Sequence, residues 1–442
     1  MATALLAPDE RDDERDDERH VALTPSRPQL RIATVGSVDD GKSTLIGRLL
    51  HDTKTIFEDQ LAAVGRASKR YGDGEFNLAL LTDGLRAERE QGITLDVAYR
   101  YFATPKRSFV LADTPGHAQY TCNMVTGASV SDVAIVLVDA RHGVVEQTRR
   151  HVAIATLLRV AHLVVAVNKM DLVDWDRSTF LRITEEVTGL ATTLDPEVVV
   201  HALPVSALLG DNIVDASENA PWFDGEPLLD LLEGLDASPH AMVGSRLHVQ
   251  WVIRPHRGSD YRGFAGRLEG GVLRVGDEMQ VLPSGLRSRV ASINRGGTPV
   301  DVAVPGDAVA VELEDRLDVG RGDVVVATDT ASPPIVAMAL DADVAWLVER
   351  PLTVGSTWAV KHGTRQVRAT VTQIAHALDI DTMTTHSTDA IGLNGIGRIH
   401  WSLSGPLVVD RYAEHRDNGR LVLVDEASNA TAGALIVRGA SA

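Results

Sequence analysis

Residues 36–43 read Gly36-Ser37-Val38-Asp39-Asp40-Gly41-Lys42-Ser43, with Thr44 next. The spacing fits G-x-x-x-x-G-K-[ST], whose glycines allow a turn tight enough for backbone N–H groups to surround phosphate oxygens. A side chain at Gly41 would obstruct that approach, and the positive end of a helix starting at Lys42 adds to the attraction. Lys42 then offers a point charge to β- and γ-phosphates, and the Ser43 hydroxyl a ligand for a bridging Mg²⁺. The alternative, a chance glycine-rich turn, does not explain the flanks. The run Leu30 to Val35 has strand character, and the apolar spacing from Lys42 onward is helical.

Outward from this loop, β-branched runs at 30–35, 96–102, 108–112, 132–138, 163–168 and 199–205 alternate with amphipathic stretches. The latter begin at Lys42 and cover 118–128, 146–158, 178–188 and 228–235. That alternation predicts an α/β P-loop domain, a doubly wound and mostly parallel sheet, over 28–240. Beyond it the helical period fades. Valine-rich strands recur between turns such as Glu269-Gly270-Gly271 and Pro305-Gly306-Asp307, predicting two all-β barrels over 245–332 and 333–438. Residues 1–27 contain the repeat Asp-Asp-Glu-Arg with nothing to bury, and read as a disordered acidic tail. A partner-docking arm is the less economical alternative for that tail.

Composition narrows the setting. A net charge of −18 argues against coating DNA by bulk electrostatics. No apolar run reaches the length of a membrane span, no apolar N-terminal segment marks secretion, and Cys122 is the single cysteine. A cytoplasmic protein is expected. Cys122 reads as a small hydrophobe rather than a redox sensor.

Two further motifs follow the loop in order. Asp113-Thr114-Pro115-Gly116-His117 closes the strand at 108–112. Asp113 there can hold magnesium through water, and Gly116 lets the backbone approach a γ-phosphate, so that the loop is released when that phosphate leaves. His117 is placed to orient an attacking water, against the commoner structural role of a lone histidine. Asn168-Lys169-Met170-Asp171 ends the apolar strand at 163–168. A carboxylate at Asp171 accepts hydrogen bonds from guanine N1–H and the 2-amino group. Adenine carries no proton at N1 and would leave that carboxylate unpaired, so the motif selects GTP over ATP. Asn168 is expected to bond the other edge of the base, the Lys169 stem to cover the ring, and Ser206-Ala207-Leu208 to give backbone N–H to the guanine oxygen.

With these motifs in place the chain resembles the translational-factor class of GTPases, whose Asp-Thr-Pro-Gly-His motif and G domain followed by two barrels match residues 28–437. In that class the first switch ends in Gly-Ile-Thr, here Gly92-Ile93-Thr94, which implies that Thr94 holds magnesium and γ-phosphate. Within the class the sequence resembles the GTPase subunit of two-subunit bacterial sulfate adenylyltransferases, the CysN type. The likeness rests on Ser37 and Asp40 in the loop, on His51-Asp52-Thr53 with Ile56 to Leu61, and on Asp83 to Thr94 running into Asp96 to Phe102. It returns in Leu393-Asn394-Gly395-Ile396-Gly397 and Asp410-Arg411-Tyr412. The resemblance implies GTP and Mg²⁺ as cofactors. It also implies a smaller ATP sulfurylase catalytic subunit as partner, in a heterodimer or higher assembly, which makes adenosine 5′-phosphosulfate and pyrophosphate from ATP and sulfate. No second phosphate loop follows residue 210, so a fused adenylylsulfate kinase is not expected. Two other classes stay open at this stage: an elongation-factor-type GTPase binding aminoacyl-tRNA, and a regulatory GTPase without coupled chemistry.

Overall fold

The computed structural model describes residues 29–54, 94, 96–236, 244–255 and 261–442. The acidic tail, Ile56 to Leu61 and Asp83 to Ile93 lie outside the described residues. Strands β1 (Leu30–Val35), β2 (Ala98–Ala103), β3 (Ser108–Asp113), β4 (Val133–Asp139), β5 (His162–Asn168) and β6 (Val199–Pro204) form one sheet in the order β2-β3-β1-β4-β5-β6. All neighbours are parallel except the edge pair β2–β3, which is antiparallel. Helices α1 (Lys42–Asp52), α2 (Thr121–Ser129), α3 (Glu146–Leu157), α4 (Arg177–Leu194) and α5 (Leu228–Gly234) cover the two faces. Every residue of β4 is buried, as expected of a central strand packed on both sides. One core joins Leu30, Ile32 and Leu137 to Leu45, Ile46 and Leu49 of α1. The other joins Val35, Val136 and Val165 to α2, α3 and α4.

Two helices depart from the sequence expectation. The stretch at 118–128 splits into a 3₁₀ turn, Ala118–Tyr120, and α2, because Tyr120 leaves helical geometry. α4 runs on to Leu194, well past 188, because Phe180, Ile183, Val187 and Ala191 continue the buried stripe. Its start is fixed by the Asp176 carboxylate, which accepts from the Ser178 and Thr179 N–H groups.

Among the described residues no helix follows Gly234. Strands from Ser245–His248 to Val324–Ala327 form a sheet that closes where Glu278–Leu282 pairs with Leu286–Arg295. A second barrel runs from Ile335–Trp346 to Thr431–Ser441 and closes by pairing of Thr357–His362 with Arg365–Leu378. The molecule is thus an α/β domain followed by two β-barrels. The second barrel packs on the first domain: Met383, Ile396, Tyr412 and Ile436 belong to the same apolar cluster as α2, α3 and α4. Hydrogen bonds add to that apolar contact. Asn394 donates to Ala118 O (3.0 Å), Tyr412 Oη to Leu158 O (2.6 Å), and Arg420 to Ser129 O (2.6 Å). No helix among the described residues is long and apolar enough to cross a membrane.

Candidate nucleotide site

The phosphate loop depends on backbone that few residues adopt. Gly36 (φ 146°), Asp39 (φ 65°) and Gly41 (φ 94°) all have positive φ. Their surroundings are also tight, since a Cβ on Gly36 would lie 2.6 Å from Leu137 O and one on Gly41 2.4 Å from Asn168 Nδ2. Side chains then brace the turn. The Gly36 N–H donates to His151 Nδ1 (3.0 Å) and the Ser37 N–H to Asp40 Oδ2 (2.5 Å). His151 is wholly buried on α3. Burial, helped by Lys42 and Arg150, pushes its imidazole down to about 3, so it is neutral and accepts at Nδ1. Asp40 is pushed up by burial against the pull of Lys42. Its carboxylate faces the loop's own backbone. Lys42 arches over the loop, donating to Gly36 O (3.0 Å) and Ser37 O (2.6 Å). Burial lowers its pKa, opposed by Asp113, Asp40 and Asp39. Val38 stands out at the rim, and Ser43 and Thr44 are half-buried on the first turn of α1.

The end of β3 meets this loop directly. Thr114 Oγ1 donates to Thr34 O (2.5 Å), pinning the turn. Asp113 is buried, accepting from Thr34 Oγ1 (3.3 Å) and Ser43 Oγ (3.4 Å). Pro115 and Gly116 are buried as well, and a Cβ on Gly116 would lie 2.4 Å from Lys42 Nζ and 2.8 Å from Ser37 C. Glycine is therefore required there by the backbone of Ser37 and by Gly36 O, 2.9 Å from the same position. His117 is exposed, and its Nδ1 accepts from the Gln119 N–H (3.2 Å), capping the 3₁₀ turn. Thr94 is half-buried four residues ahead of β2, and the structure does not describe its flanking residues 93 and 95.

The end of β5 brings the third motif to the same edge. Asn168 Nδ2 donates to Asp40 O (2.7 Å) and its Oδ1 accepts from the Ala207 N–H (2.9 Å). It straps the phosphate loop to the turn after β6. Of the backbone donors expected from that turn, Ser206 N–H goes to Asp211 O and Ala207 N–H to Asn168, leaving Leu208 N–H without a partner among the described residues. Lys169 adopts a left-handed conformation (φ 62°), donates to Asp39 O and pairs with Asp139 at 2.9 Å. Although burial alone would raise it, Asp139 is held well below the carboxylate range by Arg141 and Lys169. Met170 is buried beneath the turn. Asp171, on the 3₁₀ turn Met170–Val173, is half-exposed and has no hydrogen bond or ion pair to another described residue.

His151 is the contributor that sequence reasoning missed. It sits on a buried stripe with Thr148, Val152 and Ala155, where a histidine reads as core.

A glycine loop under a buried lysine, an aspartate at one strand end and Asn-Lys-x-Asp at another, all on one sheet edge, define a GTPase of the P-loop class. Residues 27–238 match the elongation factor Tu GTP binding domain, and residues 339–438 the GTP-eEF1A C-terminal domain-like family. Two curated relatives, each named bifunctional enzyme CysN/CysC, come from Mycobacterium tuberculosis strains CDC 1551 / Oshkosh and H37Rv. Each is 49% identical over 419 residues, covering 93% of this chain and 68% of its own length. A crystal structure of sup35 complexed with GDP aligns over 97% of this chain and 98% of its own, at 21% identity and a TM-score of 0.41. The chain belongs to the CysN family of translation-factor-like GTPases.

Proposed function

We propose that this chain is the GTPase subunit of a cytoplasmic sulfate adenylyltransferase. It hydrolyses GTP to drive formation of adenosine 5′-phosphosulfate and pyrophosphate from ATP and sulfate on a separate, smaller subunit. The GTP half is supported by one arrangement above all: Asn168 strapped between the phosphate loop and the 206–208 turn, with the Asp171 carboxylate three residues on making no hydrogen bond among the described residues. In this reading Asp171 accepts from guanine N1–H and the 2-amino group, and Leu208 N–H is the donor left for the guanine oxygen. Asn168 positions both, and the Lys169 stem covers the ring.

At the phosphate end, Lys42 exchanges the carbonyls of Gly36 and Ser37 for β- and γ-phosphate oxygens. Ser43 Oγ, with Asp113 acting through water, forms an all-oxygen donor set that suits a hard cation such as Mg²⁺, and Thr94 completes it. The bound ion would neutralise charge building on the phosphates. Gly116, packed against Lys42, reports whether a γ-phosphate is present. His117 orients the attacking water through Nε2, since Nδ1 is engaged by Gln119. The sulfate half is supported by the 49% identity to the CysN/CysC enzymes.

Purification with the co-eluting partner tests the whole reading. ATP plus sulfate should stimulate GTP hydrolysis and yield adenylylsulfate. Turnover indifferent to both would leave a regulatory GTPase, and salt-sensitive binding of charged tRNA would point to translation.

A further inference from the structure

The seam between the two barrels gathers a cluster of ionisable groups, several of them buried, outside the nucleotide site. Strand 245–248 contributes Arg246 and His248, strand 263–270 Arg267 and Glu269, strand 357–362 His362, and segment 410–420 Asp410, His415, Asp417 and Arg420. Two ion pairs close on themselves here. Arg246 holds both oxygens of Asp410 at 3.2 Å, and Arg420 lies 2.5 Å from Asp417. The rest is less settled. The His248 and His362 rings meet edge-on with centroids 5.2 Å apart, and His248 Nε2 is 3.6 Å from Glu269 Oε2. Among the described residues, Glu269 Oε2 is buried without a hydrogen-bond partner, as is His415 Nε2. His415 Nδ1 is already taken by the Asn418 N–H at 3.2 Å. The backbone presses close: a Cβ on Gly363 would lie 2.6 Å from His248 Nδ1, and one on Gly270 2.9 Å from His415 Nε2.

A carboxylate at Glu269 would face Asp410 and Asp417, with Arg420 and Arg267 acting against them and no donor on Oε2 among the described residues, and a buried acceptor left unpaired is costly. A cation on His248 or His362 would be desolvated beside another histidine, an effect that Asp410 and Asp417 offset only in part at His248, and one on His415 would also face Arg246. The arrangement that satisfies both constraints is a neutral carboxylic acid at Glu269 turned toward a neutral His248. We propose that the seam is a proton-operated joint: Glu269 and His248 hold one proton between them, and its loss loosens the two barrels from each other.

The electrostatics agree with this geometry. Burial, then Asp417, raises Glu269 to about 7. Burial lowers His248 to about 4 and His362 to about 3, and lowers His415 too. The sign follows. An opened seam releases the Glu269 proton near its ordinary value of 4.5, whereas the closed seam keeps it to about 7. Closure therefore weakens as pH rises through that window and stays level above it.

Hydrogen exchange of the 410–420 amides, corrected for intrinsic rates, tests this in the full chain against Glu269→Gln. The protection of wild type relative to the variant should fall by about tenfold or more between pH 5 and pH 7. The same pH dependence in both proteins overturns the proposal. Infrared difference spectra supply a second reading: wild type should carry a protonated glutamic acid C=O band at pH 6 that is gone by pH 8.5 and absent from the variant. Should Glu269→Gln fail to fold, the wild-type band alone decides, and its absence at pH 6 overturns the proposal.

Discussion

The phosphate loop and the inter-barrel seam both bury charge, and they compensate it by opposite means. In the loop, Lys42 and Asp40 are satisfied by backbone groups a few residues away, Gly36 O, Ser37 O and the Ser37 N–H. In the seam, Arg246 finds Asp410 across 164 positions of sequence. Local compensation leaves a motif, because the spacing of the residues is itself the geometry. Distant compensation leaves none, and it ties stability to the mutual placement of two domains. The loop should accordingly control chemistry, and the seam cohesion.

The largest expected effect falls in the seam. Arg246→Ala strands Asp410 in a buried site and should cost about 3–5 kcal/mol of stability, measured by chemical denaturation, with the nucleotide preference of the folded fraction unchanged. A shift in that preference would erase the contrast. Next comes the base. Asp171→Asn should weaken GTP by about 100-fold, roughly 3 kcal/mol, in equilibrium binding, and should favour xanthosine triphosphate, whose 2-oxo group needs a donor. Gly116→Ala sets a methyl group against Lys42 Nζ. It should lower the GTP hydrolysis rate by about 100-fold in single-turnover assays while GDP binding holds.

The smallest effect concerns pH and touches both regions. His151 under the loop and His362 in the seam are held neutral, each lowered to about 3 by burial. The unfolded chain takes up protons below about pH 6.5 while these sites do not, so stability is lost as pH falls. Each should cost about 2 kcal/mol by pH 5, and replacing His151 with Gln should flatten part of that slope in denaturation series.

Much of the site was legible for the reason that separates these regions. Gly36, Gly41, Lys42 and Ser43 act through neighbours in sequence, and Asp113 and Asn168 announce themselves by ending apolar strands. The order of domains was legible through the change from helical to alternating period after residue 240. His151 was not, because an imidazole that accepts from Gly36 across 115 positions looks on its own helix like packing. Nor was the strapping role of Asn168, since the same amide could serve a base or two backbone groups, and only the approach of the 206–208 turn decides. Glu269 gave no signal, its neighbour His248 being on another strand.

The clasp between the last barrel and the first domain has a consequence for how such a chain can diverge. Asn394, Tyr412 and Arg420 all close on main-chain carbonyls, at Ala118, Leu158 and Ser129. Side chains at those three acceptor positions can be exchanged without deleting the acceptor. Where such a position is not also part of the apolar contact, as Leu158 is, a substitution on the GTPase face leaves these hydrogen bonds in place, while each donor on the barrel face is needed. Drift across this contact should run almost entirely on one side, and a barrel transplanted from a relative should still engage a GTPase domain whose surface side chains have changed.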